Sequence, residues 1–500
     1  VKKEKDVGMM GKEFVIGLDI GTTSVKAVMF DLNGNVVEEA EELITSLYPK
    51  EDWVEQNPYE IETKTIVALK DVITKAKLQE ANLLGIGFSS AMHSLICVDE
   101  KNEAISDMLI WSDGRSSEQA ENLDVNIGKK VYQKTGTPIH PMSPFLKLLW
   151  MKENDYEPYH QASYFMSLKE FLLQKWFGQR VVDYSIASAS GLMNVDMLSW
   201  DKDVLDLVGV KESQLSRIVP PTEVLTGLNE SLATELGISP QLPFIIGAAD
   251  GQLANLGSGA ITPGEVAVSV GTSGAIRQFT KGAPINNRQE TFTYAFTKDT
   301  SIIGGATNNG GIALQWLKDL FAFEGSHDAF LSGVEDVEVG SEGILFLPYV
   351  NGERAPLWNQ KAKGNFFGLS IGHRKEHLTR AVLEGVTLNL YKIGKSLEEV
   401  AGKPVKISVN GGLSKSDVWV QIMADVFGQE IHLSDTHHNA GWGAAWTALV
   451  AIGKVDSFEA IKQNLPVGKV IQPNQSNHEK YRSIYEKYEK LVTSIVPNFN

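Results

Sequence analysis

The sequence predicts an α/β protein built from two related domains, and three observations carry that prediction. A strand, FVIGLDI, runs into a Gly-Thr-Thr-Ser turn at residues 21–24 and continues as VKAVMFD. A weaker copy recurs half a chain later, where EVAVSV meets Gly271-Thr272-Ser273-Gly274 and continues as AIRQF. The second observation is size: 500 residues, 43% of them hydrophobic, exceed what one core usually holds, since single cores stop growing near roughly 250–300 residues. The third is that short apolar runs alternate with stretches of helical spacing through both halves.

After the first hairpin, residues 57–78 have helical spacing, and 83–88 and 95–98 read as short strands. Helical stretches follow at 145–153 and 167–176, and Val181-Val182-Asp183-Tyr184 leads into a small-residue segment, 185–191. Prolines at 220, 221 and 243 flank a short apolar strand, 244–246, that ends in Gly247-Ala248-Ala249-Asp250-Gly251. The domain boundary is placed here, giving units of residues 13–251 and 252–500. In the second unit the hairpin is followed by a strand near 301–304, a turn at Gly310-Gly311 and a helix through Gln315. A strand at 405–409 precedes Asn410-Gly411-Gly412 and a helix from about Ser416. Gly441-Trp442-Gly443 precedes an Ala-rich helix at 444–451. Glycine turns before helices are close-approach sites for a ligand.

Composition excludes several partners. A formal net charge of −16, with no Lys/Arg block to offset it, opposes attraction to nucleic acid or an anionic membrane surface. Cys97 is the only cysteine, so neither an internal disulfide nor a multi-thiolate zinc site can form; it reads as a small apolar strand residue in a reducing compartment. No run approaches the roughly 18 apolar residues that span a bilayer, and VKKEKDVGMMGKEF lacks the apolar core of a signal peptide. A cytoplasmic protein is expected. The first dozen residues are charged and aperiodic and are expected to be poorly ordered. Val1 in place of Met, with Met9 and Met10 close behind, reads as an upstream extension or a processed start. The chain is compatible with a homodimer.

The two hairpin turns carry the first chemical hint. Glycines let a backbone come close to a ligand, and adjacent amides and hydroxyls form a concave nest of donors suited to phosphate oxygens. Taken singly, a Gly-Thr turn between strands is more often structural. Duplication changes the weighting and suggests one nucleotide held between two units. Asp19 stands at the first turn where Ser269 stands at the second, so a metal-directed carboxylate is expected on one side only. Asp250, in an Asp-Gly pair after an apolar strand, is a candidate base; a loop-capping Asp is the structural alternative.

Several separated motifs resemble the FGGY carbohydrate kinases, within the actin-like ATPase (ribonuclease H-like) superfamily, over nearly the whole chain. MSPFLKLLWMKEN at 142–154 resembles the family's N-terminal signature, and GNFFGLSIGHRKEHLTRAVLE at 364–384 its C-terminal one. DIGTTSVK looks like the first phosphate motif, SVGTSGAIR the second, VNGGLSKSDVW the adenosine motif and GAADG the catalytic-aspartate segment. Within the family, residues 89–94, 136–142 and 182–185 look most like gluconokinases. Xylulokinases are the close competitor; their Met-His pair typically follows Gly-Gln and precedes Gly, whereas here Ala91 precedes and Ser94 follows.

The resemblance implies two actin-like domains closing on MgATP and a linear sugar acid. It implies Asp250 as the base at the attacking hydroxyl, and Asp19, with Asp250, directing Mg2+ through bound water. Gly21, Thr22 and Thr23 from one side and Gly271, Thr272 and Ser273 from the other would surround the phosphates of ATP. Gly411, Gly412 and Ser416 would meet adenosine, and Gly311 with Gln315 phosphate or ribose. Asp19 and Asp250 are expected to face each other across the cleft. Met92, His93, Trp111, Arg115 and Met142 fall in the acceptor segments, where packed or turn roles are the alternatives. For a sugar carboxylate, Arg115, Lys147 and His140 remain open. Lys26 lacks a GxxxxGK[ST] context and reads as a solvated strand lysine. His437-His438 reads as a polar loop, and Arg354 as an ion-pair partner outside the site. A kinase for another polyol or ketose, and an actin-like nucleotide switch without sugar chemistry, are the competing readings.

Overall fold

The structure is a computed structural model that describes residues 13–78, 82–433, 438–465 and 468–499. The expectation for the first dozen residues, and His437, lie outside the described residues. The first half runs β1 (Glu13–Ile20), β2 (Ser24–Asp31), β3 (Val36–Leu43), α1 (Pro58–Leu78), β4 (Asn82–Ser90), α2 (Pro144–Glu153), α3 (Leu168–Phe177), α4 (Tyr184–Ala189), β5 (Val224–Leu225), β6 (Phe244–Ala249) and α5 (Asp250–Gly257). The second half runs β7 (Glu265–Val270), β8 (Gly274–Lys281), β9 (Phe292–Ala295), β10 (Thr300–Thr307), α6 (Gly311–Leu320), α7 (Lys375–Ala401), β11 (Lys406–Gly411), α8 (Asp417–Phe427), β12 (Ile431–Leu433), α9 (Asn439–Ala451), β13 (Val470–Ile471) and α10 (Gln475–Ile495).

The duplication extends from the hairpin to the whole sheet. One sheet has the order β5-β6-β4-β1-β2-β3, and the other β9-β10-β8-β7-β11-β12-β13. In the first, β6, β4 and β1 are parallel and β2 and β3 antiparallel; in the second, β12, β11 and β7 are parallel and β8 and β10 antiparallel. The central strand β1 buries Phe14, Val15, Ile16, Leu18 and Ile20, as a strand covered on both faces must. Edge strand β3, VVEEAEEL, carries four glutamates and is mostly solvated, which blunts an otherwise open edge.

Helix starts follow local chemistry. The Asn57 Oδ1 accepts from the amides of Tyr59 and Glu60 at the head of α1, and Ser167 with Glu170 forms a reciprocal cap on α3. Segment 185–191 falls largely within α4, a helix the small-residue pattern did not announce, capped by Asp183. α9 begins at Asn439, so Gly441 and Gly443 lie inside a helix and not before one.

Those helical glycines correct an expectation. Protein backbone packs closely here, while Gly441 also lines a cavity with Asp19. A Cβ on Gly17 of β1 would sit 1.9 Å from the Gly441 carbonyl oxygen, one on Gly87 of β4 2.0 Å from that of Ala444, and one on Gly443 2.1 Å from that of Leu253 in α5. α9 is therefore wedged between the first sheet and α5. Its Trp442 and Trp446 share a core with Val15, Val28 and Phe30 of the first sheet and with Phe279 and Ile302 of the second.

Candidate active site

The site forms where the parallel strands of the first sheet end. Register pairs Ile20 with Ser90 and Ser90 with Ala249, so Asp19 and Asp250 emerge along one sheet edge, on either side of β4. The two carboxylates thus belong to the same unit, and the expectation that they face each other across the cleft is corrected. The Ser89 Oγ donates to the Asp19 Oδ1 at 2.7 Å. Burial raises the Asp19 carboxyl above the ordinary range, opposed by Ser89, Lys26 and His438. The Asp250 carboxyl is pushed up to about 6, by burial first and then by the negative charge of Asp19; Arg277, the Gly251 amide and Lys169 pull it back.

A bulge behind Asp250 sets its position. Pairing of β6 with β4 shifts between Ile245 and Ala248, where Gly247 takes a φ of 62°. The Lys169 ammonium, buried under the bulge, donates to the carbonyls of Ile246 at 3.1 Å and Ala248 at 3.2 Å and pairs with Asp183 at 2.6 Å. Asp183 caps α4, and the Ser185 Oγ accepts from the Ala249 amide at 2.7 Å. A buried ion pair tied to the backbone on both sides of the bulge is a stiff support for the carboxylate beyond it.

Two cavities are lined by residues of the expected site, and the smaller one includes Asp19. One of about 270 Å³ is lined by Asp19, Lys26, Asn410, Gly411, His438 and Gly441. The other, about 500 Å³, is lined by Gly271, Thr272, Gly311, Gln315, Gly412 and Ser416, with Leu413 and Trp419 giving it apolar walls. Six of the residues expected to hold nucleotide thus share one hollow, and Gly411 stands between Asp19 and that hollow. The Gly311 and Ile312 amides donate to the carbonyls of Gly271 at 2.7 Å and Thr272 at 3.0 Å, so the head of α6 is tied to the second turn. The Ser416 Oγ caps α8 by accepting from the Trp419 amide at 3.4 Å, and the Gln315 amide group donates to Asp319 at 2.6 Å. In the first turn the Gly21 amide donates to the Ser24 carbonyl at 3.0 Å, the Thr22 carbonyl accepts from Gln56 at 2.7 Å and that of Thr23 from the Ile44 amide at 2.9 Å.

On the other side of Asp250 lies a buried polar cluster drawn from both halves. Met92 and Arg277 flank Gly251, with Met92 Cε 3.1 Å and Arg277 Nε 3.0 Å from where its Cβ would be. His93 is held at a φ of 68°, with its Nδ1 2.8 Å from the Ala189 carbonyl oxygen and its ring 5.9 Å from that of Tyr294. Burial takes the His93 imidazole down to about 3, aided by the charges of Lys147 and Arg354. The Arg354 guanidinium lies 4.7 Å from the centre of the Trp111 ring. The Met142 amide donates to the His140 Nδ1 at 3.2 Å, while the His140 ring meets Trp358 at 5.7 Å.

Three of the expected cations stand differently from one another. The Arg115 guanidinium is clamped by Asp113 at 2.8 Å and Glu55 at 2.6 Å and stacked over Trp53 at 3.9 Å. Its charge is met within the protein by these two carboxylates, while its Nη1 is buried without a hydrogen-bond partner. Lys147, brought down to about 7 by burial, donates to the carbonyls of Pro141 and Met142 and holds the turn that carries His140. The His140 Nε2 is buried without a hydrogen-bond partner.

Comparison with known proteins completes the picture. Residues 14–257 match the N-terminal domain of the FGGY family of carbohydrate kinases, and residues 266–452 its C-terminal domain. The chain belongs to the FGGY family of carbohydrate kinases. It is 40% identical over 484 residues to a gluconokinase of Bacillus subtilis (strain 168), covering 94% of each chain. Its structure superposes on that of a gluconate kinase from Lactobacillus acidophilus with a TM-score of 0.94 and 32% identity, covering 98% of this chain and 99% of the other. A ligand-bound xylulose kinase from Lactobacillus acidophilus gives 0.94 and 33%, covering 97% and 99%.

For an FGGY kinase the donor set suits magnesium bound through water. Among the described residues no group of three or more His, Cys, Asp or Glu side chains gathers to hold a metal. Asp19 and Asp250 leave most positions to water and phosphate oxygens, as this ion prefers. The sequence did not single out Arg277 or Tyr294 and set Arg354 outside the site, yet the structure couples all three beside His93. Arg277 is one strand residue in AIRQF and Arg354 follows Glu353, so neither carried a local signal distinct from a surface or paired arginine. Among the described residues no helix is long and apolar enough to cross a membrane.

Proposed function

We propose that this FGGY kinase transfers the γ-phosphoryl group of ATP to the terminal hydroxyl of D-gluconate, giving 6-phospho-D-gluconate and ADP, with Asp250 as general base. The observation that carries the acceptor is the 40% identity over 94% of each chain with a protein named gluconokinase. The base assignment is supported by a buried carboxyl near 6, ionised at neutral pH yet basic enough to take a proton as the new bond forms. Gly271, Thr272, Gly311, Gln315, Gly412 and Ser416 hold the nucleotide, with Gly411 at the inner end. Gly21, Thr22, Thr23 and Ser273 complete the surround of its phosphates, and Asp19 and Asp250 orient hydrated Mg2+, which supplies charge neutralisation along the triphosphate. Met92, His93, Trp111 and Met142 belong to the acceptor side.

In this reading the sugar's terminal hydroxyl lies against Asp250, and closure of the units around residues 13–251 and 252–500 removes water from the transfer. In-line positioning, with no covalent enzyme intermediate, supplies most of the rate. The reaction is placed in the cytoplasm, in keeping with a single, buried cysteine. Equal superposition on a xylulose kinase makes ketopentose phosphorylation the second reading. ADP release measured with gluconate, xylulose, ribulose and glycerol separates them: dominant turnover of gluconate is expected, and equal turnover of xylulose would defeat the assignment. Nucleotide-dependent assembly without acceptor turnover would mark an actin-like switch instead.

A further inference from the structure

Buried polar atoms without a hydrogen-bond partner include Arg277 Nε, Tyr294 OH, Arg354 Nε, His140 Nε2 and Trp358 Nε1, together with both amide atoms of Gln252, which follows Gly251 in the chain. The contacts chain them together. Arg277 adjoins Gly251, next to Asp250; Arg277 and Arg354 both feel the Tyr294 phenol, and Arg277 lowers the Arg354 guanidinium, whose value falls to about 10 mainly through burial. Arg354 in turn acts on His93 and His140. A buried donor left unmade costs about 1–3 kcal/mol, and more when charged, so this many in one cluster marks a place that a ligand's own groups fill.

Charge narrows the ligand. Two carboxylates lie near the two guanidiniums. Asp250 is needed at the hydroxyl. Glu353 is enclosed by donors, accepting from Thr307 at 2.7 Å, Asn308 at 3.1 Å, Asn309 at 3.4 Å, Asn389 at 2.9 Å and the Arg354 amide at 2.7 Å. Burial raises its carboxyl to about 7, so at neutral pH it is ionised only in part. Among the described residues neither guanidinium forms an ion pair with a carboxylate, and that of Arg354 donates only to the Thr307 carbonyl at 3.2 Å, so positive charge there lacks a close partner. A neutral polyol or ketose offers nothing to offset it.

We propose, resting on the sugar-acid reading above, that Arg277 and Arg354 are the specificity-determining pair that grips the acceptor's carboxylate, while Tyr294, His140 and Gln252 take its hydroxyls. The pair takes the place of Arg115, whose charge already meets Asp113 and Glu55, and of Lys147, which donates to the Pro141 and Met142 carbonyls.

The test measures kcat and KM of the wild type, Arg277→Gln and Arg354→Gln with gluconate and with D-xylulose, together with calorimetric binding of gluconate and D-glucitol, which lacks only the carboxylate. The wild type is expected to bind gluconate at least about 100-fold tighter than glucitol, because unpaired buried donors reject the analogue that lacks their partner. Each variant is expected to raise the gluconate KM about 10-fold or more with a smaller change in kcat, to lose the preference over glucitol, and to keep its ADP affinity. Arg354→Lys is expected to recover part of the gluconate binding. Equal losses for charged and neutral acceptors, or an unchanged gluconate KM, would overturn the pair while leaving the gluconate reading intact. A wild type that phosphorylates xylulose and not gluconate would overturn both. Should a variant fail to fold, the wild-type comparison of gluconate with glucitol still decides: equal affinities sink the proposal.

Discussion

Asp250 illustrates how much one side chain depends on its surroundings. With the carboxyl near 6, kcat/KM should fall as pH drops through about 6, because the base is then protonated and cannot accept. Asp19→Asn removes a negative neighbour, so the acid limb of that variant should move to lower pH; a limb that stays in place would separate the two carboxylates. Asp250→Asn should cost about 10²–10⁴ in kcat, the usual worth of a positioned base, with ADP affinity within about threefold of wild type. Near-normal turnover would remove Asp250 as base. At this scale the sequence was legible where a motif fixes the residue type, as at Asp19 and Asp250. It was not legible at Arg115 and Arg354. Both are arginines beside acidic residues, and only the fold shows that Arg115 spends its charge on Asp113 and Glu55 while Arg354 turns over Trp111.

At the scale of elements, strands and helices answer to different signals. The hairpins were readable because apolar runs broken by glycine turns leave few alternatives. α4 and the first turn of α9 were not, since Ser, Ala and Gly carry little periodicity; packing, with an Asp183 cap on α4, makes them helical. The bulge before Asp250 is another tertiary feature, held by Lys169. Lys169→Met would leave Asp183 buried and unpaired, a loss of about 3–5 kcal/mol in chemical denaturation, partly restored by adding Asp183→Asn. It should also move the acid limb upward, opposite to Asp19→Asn, because Lys169 helps keep Asp250 ionised. Gly87→Ala forces a methyl to 2.0 Å from the Ala444 carbonyl oxygen and should cost about 3 kcal/mol, whereas Gly372→Ala, whose methyl would meet only the Ser370 Oγ at an ordinary 3.8 Å, should change stability by less than about 0.5 kcal/mol.

For the molecule as a whole, the two halves contribute differently to the hollows around Asp19 and Asp250. The cavity of about 500 Å³ is lined entirely by residues from 271 to 419. The polar cluster takes Met92, His93 and His140 from one half and Arg277, Tyr294 and Arg354 from the other. Acceptor and nucleotide binding should therefore separate under mutation: His93→Ala is expected to raise the acceptor KM severalfold while changing the ADP dissociation constant by less than about twofold, a change of about 0.4 kcal/mol. A parallel loss of ADP binding in calorimetry would contradict that separation.

The sequence by itself determined that two related α/β units exist, that a glycine turn opens each, and that acidic side chains stand at Asp19 and Asp250. Those features are local, set by periodicity and turn chemistry. Only the tertiary structure decided that both carboxylates leave one sheet edge, that α9 wedges against the first sheet, and that Arg115 is paired with Asp113 and Glu55. Strand register and the pairing of buried ions join residues hundreds of positions apart, and no local pattern records them.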